Sequence, residues 1–110
     1  MEMNDAIRAL GALAHEHRLS VFRMLIAEGP NGLAAGTIAS RLGVAPSSLS
    51  FHLSQLAGAG LLTSRRESRQ IIYAADIEGT RRMLGYLTED CCNGNPDICA
   101  DLTKAPACAG

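Results

Sequence analysis

All four cysteines of this 110-residue chain lie in its last twenty residues: Cys91, Cys92, Cys99 and Cys108. Thiolate sulfur is a soft donor that suits soft ions and trivalent metalloids. A trivalent metalloid such as arsenic takes three thiolates in a trigonal pyramid. Adjacent Cys91 and Cys92 supply two, and the 93–98 loop, with turn-forming Gly94 and Pro96, can fold back to bring Cys99 as the third. A methylated arsenical needs only two thiolates, so Cys91 and Cys92 alone would serve it. Cys108, close to the end, is accessory at most. Three further readings stay open. Four thiolates can hold structural zinc, although neighbours 91 and 92 fit one tetrahedron awkwardly. A Cys91–Cys92 or Cys92–Cys99 pair can act as a redox switch. The thiols can also be inert, although free Cys packs as a small hydrophobe and this stretch offers little other apolar mass.

A cluster of this kind needs a framework. The chain is about one small domain long, and pairing with a second copy would help it bury enough surface. With 47% hydrophobic residues but no Trp, two Tyr and two Phe, the core must be aliphatic, which favours packed helices. The net charge is only −1, yet its distribution is uneven. Residues 41–82 carry six arginines (Arg41, Arg65, Arg66, Arg69, Arg81, Arg82) against Glu67, Asp76 and Glu78, while residues 83–110 carry one lysine against four acids. A near-neutral total thus conceals a basic middle suited to phosphates. No apolar run approaches the roughly 18 residues of a membrane span. The N-terminus lacks the basic start of a secretory signal, so the expected location is the cytoplasm, with reduced thiols.

Apolar periodicity predicts helices over about 4–13, capped by Asn4 or Asp5, and 17–28, with a stripe of Leu19, Phe22, Leu25 and Ile26 ended by Gly29-Pro30. After a loop at Asn31-Gly32, a short helix over 35–42 ends at Gly43. Another helix runs over 47–59. Strands over 61–67 and 70–74 follow, joined by a turn at Ser68-Arg69, and a last helix covers about 76–88. The expected fold is mainly α with a β-hairpin wing. Residues 1–88 are expected to form one domain, and residues 89–110 a cysteine-containing, metalloid-binding C-terminal tail.

Short helix, glycine turn and second helix make a helix-turn-helix. Leu49, Leu53 and Leu56 bury the second helix, which leaves Ser47, Ser48, Ser50, Phe51, His52 and Gln55 for the outer face. Small hydroxyls at a helix start suit base edges and phosphates, and Gln55 extends that reach by a turn. Capping by Ser47 and Ser48, and partial burial of Phe51 and His52, are the competing readings. Arg65, Arg66 and Arg69 cluster at the hairpin tip. Alone they would read as a solvated turn; after a helix-turn-helix they read as a wing over flanking phosphates.

The stretches ALAHEHRLSVFRMLIAEGP and IASRLGVAPSSLSFHLSQLAGAGLLTSRRESRQIIYAAD resemble the ArsR/SmtB family of metal- and metalloid-responsive winged-helix repressors, over roughly residues 5–88. The resemblance implies a homodimer built from the first and last helices, with Ile7, Leu10, Met83, Leu84 and Leu87 as dimer contacts, although burial within one subunit would also explain these residues. It implies double-stranded operator DNA as partner and release on inducer binding. Its C-terminal arsenite sites join a vicinal pair to a later cysteine, which implies Cys91, Cys92 and Cys99 as ligands of arsenic(III). The inducer is arsenite, antimonite or methylarsenite, and no organic cofactor is expected. The sequence departs from the family in two places: residues 34–41 hold no Cys-x-Cys motif, and the last helix carries no His for a zinc site. No phosphate-cradle loop or defensible Cys–His arrangement supports an enzyme. A thiol-rich metal buffer, lacking DNA binding, is the remaining class.

Overall fold

The computed structural model describes residues 1–88. Helix α1 (Met3–Leu13) leads to α2 (Glu16–Glu28) and a single 3₁₀ turn (Gly29–Asn31). Strand β1 (Leu33–Ala34) runs directly into α3 (Ala35–Leu42), which α4 (Pro46–Gly58) follows. Strands β2 (Leu62–Glu67) and β3 (Gln70–Ala75) form the hairpin, and α5 (Ile77–Thr88) completes the described part. The sheet is antiparallel in the order β1-β3-β2.

The helices fall close to the expected spans, but their ends are built differently. Asp5 reaches back to accept from the backbone N–H of Glu2, so the start of α1 lies ahead of Asn4. α2 begins at Glu16 because the imidazole of His15 accepts from the His17 N–H and acts as the cap. Its buried stripe is Val21, Phe22 and Leu25, whereas Leu19 and Ile26 are exposed, a rotation from the expected face. The sequence pattern assigns residues 33–34 to no element; strand β1 there is only two residues long and exists through pairing with Tyr73 and Ile72.

The core is aliphatic. Val21, Leu25, Ile38, Leu49, Leu53, Leu56 and Leu61 are fully enclosed, and each such Leu or Ile stabilises by about 1.5–3 kcal/mol. α1 contributes the small side chains of Ala9 and Ala12, with Leu13 packed partly buried against the cluster, and lies against α2 and α4. Met83, expected at a dimer face, belongs to this same core: α5 turns it inward to pack with the other buried residues of its own subunit.

Candidate nucleic-acid interface

The turn between α3 and α4 fixes the angle at which α4 is presented. Gly43 adopts φ 70°, ψ 32°, a left-handed conformation that costs a side-chain-bearing residue about 1–2 kcal/mol. The N–H groups of Gly43 and Val44 both return to the Ala39 carbonyl, closing α3. Extended Ala45 then precedes Pro46 at the first position of α4. The cap residue is therefore Ala45, which has no side-chain acceptor. Neither Ser47 nor Ser48 caps, and both hydroxyls stand exposed.

Leu49, His52, Leu53 and Leu56 bury one face of α4 at helical spacing. Ser47, Ser48, Ser50, Phe51 and Gln55 are exposed as expected, and so is Ser54, which lies with Ser47 and Phe51 at the centre of the outer face. His52 does not join them. It stands three positions after Leu49 and four before Leu56, so the helix carries it inward, to 8% exposure. There its Nδ1 accepts from Arg18 Nε at 3.2 Å. Burial, followed by the positive surroundings of His15, Arg18 and His17, lowers the His52 pKa below its ordinary value. The Arg18 guanidinium also lies 5.6 Å from the centre of the Phe51 ring, within cation–π range. Arg18 thus braces α4 at two adjacent positions. Its partners lie more than thirty residues away in sequence, so no local pattern announces the role.

The hairpin arginines divide into two groups. Arg66 and Arg69 are exposed and make no ion pair among the described residues. Arg69 occupies the turn beside Ser68, which takes a positive φ of 56°. It also lines an open groove with Thr37, Ser40 and Arg41 of α3. Arg65 is not at the tip. It lies in β2 opposite Ile72, donates to the Pro30 and Asn31 carbonyls at 3.3 and 2.7 Å, and pairs with Glu67. These bonds fasten the wing to the 3₁₀ turn. The result is a polar helix face flanked by a braced basic hairpin, an arrangement able to enter a groove and hold the adjoining phosphates.

Elsewhere, α1 and α5 pack together and leave Ile7, Leu10, Leu84 and Leu87 each more than 40% exposed, together with Met3 and Ile77. Exposure of six large apolar side chains on two adjacent helices marks an interaction face. Cys91, Cys92, Cys99 and Cys108 lie outside the described residues. No described helix is long and apolar enough to cross a membrane.

Residues 13–65 match the model of a helix-turn-helix domain. The transcriptional activator HlyU of Vibrio cholerae is 34% identical over 97 residues, covering 86% of this chain and 87% of that protein. Its structure superposes with a TM-score of 0.65 over 81% of this chain and 96% of HlyU. The homodimeric winged helix-turn-helix DNA-binding domain of Mb0332 from Mycobacterium bovis gives 0.65 at 25% identity, covering 80% of this chain and 82% of that one. An ArsR-like transcriptional regulator from Rhodococcus sp. RHA1 shares the fold at a TM-score of 0.72 and 24% identity, covering 88% of this chain and 89% of that one. Extending from α1 through the wing, these likenesses and the site geometry show that the chain belongs to the ArsR/HlyU-type family of DNA-binding winged helix-turn-helix transcriptional regulators.

Proposed function

We propose that the chain is a homodimeric repressor that binds operator DNA and leaves it when trivalent arsenic binds Cys91, Cys92 and Cys99. The observation that carries the DNA half is the exposed face of α4, with Ser47, Ser50, Phe51 and Gln55 beside the basic hairpin. In a two-fold dimer through α1 and α5, two such helices would meet successive major grooves about 34–36 Å apart. The inducer half is supported by the soft ligands Cys91, Cys92 and Cys99, which follow in sequence the helix that carries exposed Leu84 and Leu87. Capture of arsenite, antimonite or methylarsenite there alters the α5 pairing and so the spacing of the reading helices. By linkage, DNA weakens metalloid binding by the same factor.

A gel shift with the chain's own upstream region tests this reading. Arsenite should release the native protein, whereas Cys92→Ser should bind DNA normally and stay bound. Normal release of Cys92→Ser would discard the thiol site. Release by peroxide but not by arsenite would replace the metalloid with thiol oxidation.

A further inference from the structure

We propose that His15, His17 and His52 form a binding site for a borderline divalent metal ion of the Zn²⁺ or Co²⁺ kind, bridging the start of α2 and the buried flank of the DNA-facing helix. The site needs no cysteine, and the proposal does not rest on their role. One nitrogen from each of the three imidazoles lies within 4.8 Å of the other two. The His15 and His52 ring centres are 4.5 Å apart, and His17 stands 5.6 Å from each. Imidazole nitrogens bind such ions at about 2.0–2.1 Å, which in a tetrahedron separates them by about 3.4 Å. His15 is exposed and His17 half-buried, so both can adjust, His15 at the cost of its cap bond to the His17 N–H, while His52 is anchored in the core. Imidazole suits zinc, cobalt, nickel and copper rather than calcium or magnesium. Among the described residues no carboxylate or thiol joins the three imidazoles.

The hydrogen bonds define what occupancy does. The Nδ1 atom of His52 accepts from Arg18, and that of His15 accepts from the His17 N–H. A neutral imidazole that accepts at Nδ1 carries its proton on Nε2. Ligation through Nδ1 displaces the donor directly. Ligation through Nε2 moves the ring proton to Nδ1, where it repels the donor. By either route the metal and Arg18 exclude one another at His52. Occupancy therefore exchanges the Arg18 tether of α4 for a metal tether.

The test uses the untagged full-length chain with Cys91, Cys92, Cys99 and Cys108 all changed to Ser, titrated with Co²⁺ and followed by its visible ligand-field absorption. One Co²⁺ per chain is expected. His15→Asn, which retains a capping acceptor, and His17→Gln should each weaken binding by roughly 10-fold or more. Arg18→Ala, which removes the competing donor, should strengthen it, with circular dichroism confirming that each variant is folded. Absence of Co²⁺ absorption at stoichiometric metal would overturn the proposal. So would an affinity unchanged in both His15→Asn and His17→Gln.

Discussion

Arg18 donates to Nδ1 of His52 at 3.2 Å, and this contact ties α2 to the core-facing side of the reading helix. The same guanidinium lies near the ring of Phe51 on the exposed side. One side chain thus touches both flanks of α4. Arg18→Ala should leave a buried imidazole acceptor unsatisfied and cost about 1–3 kcal/mol in urea unfolding. Operator affinity should fall with it, because α4 loses its tether to α2 and Phe51 its cation contact. Unchanged unfolding and unchanged affinity would show that the contact is incidental.

Acidification should destabilise the fold through His52. Its pKa lies below the unfolded-state value of 6.5, chiefly because burial disfavours the charged ring. Between those two values the unfolded chain holds more protons than the folded one, so stability rises with pH across that window. This contribution is complete above about pH 6.5 and is lost as pH falls toward the folded-state value. With a chelator present, the urea midpoint should drop between about pH 7.5 and about pH 5.5. His52→Gln should show a smaller drop, and an equal drop in the variant would assign the effect to other groups.

The wing arginines should separate by salt dependence. Arg66→Ala and Arg69→Ala should each reduce the slope of log affinity against log salt by about 1, with little loss of stability. Arg65→Ala should instead loosen the hairpin, since its guanidinium holds the Pro30 and Asn31 carbonyls. Its thermal midpoint should fall while the salt slope changes less. Identical slopes in all three variants and the native chain would remove the phosphate role from the wing.

Gly32 should tolerate no side chain. Its φ is +68°, and a Cβ there would run into the Tyr73 carbonyl, where β1 meets β3. Its backbone, φ 68° with ψ −169°, is one that essentially only glycine adopts and alone costs Ala about 1–3 kcal/mol, and the clash adds to it. Gly32→Ala should lower stability by about 2 kcal/mol or more, read by denaturant unfolding. A neutral variant would mean that β1 can detach without cost.

Much of this architecture was legible because local pattern and tertiary packing agree. The glycine at 43, the proline at 46 and the Leu49-Leu53-Leu56 spacing place the helix-turn-helix directly. The Ser68-Arg69 turn places the hairpin. Strand β1 was not legible, because two residues carry no periodicity and their pairing comes from residues 72 and 73. His52 was misplaced because its polarity suggested the surface, although its position repeats the Leu49–Leu56 stripe. Met83 was assigned to a partner because an apolar residue on α5 reads alike whether it faces its own core or another subunit. Arg18 and the three-histidine cluster depend on distant contacts that no window of sequence contains.

The β1–β3 pairing also has a consequence for synthesis on the ribosome. Leu33 pairs with Tyr73, so closing this ladder encloses α3, α4 and β2 within a loop of about 40 residues. The β2–β3 hairpin is local and can zip within microseconds, but the third strand has no partner until β3 emerges. Throughout that interval the nascent helix-turn-helix lacks the strand that will join it to the wing. Completion of the sheet therefore waits until β3 has left the exit tunnel, after the whole of the helix-turn-helix has already emerged.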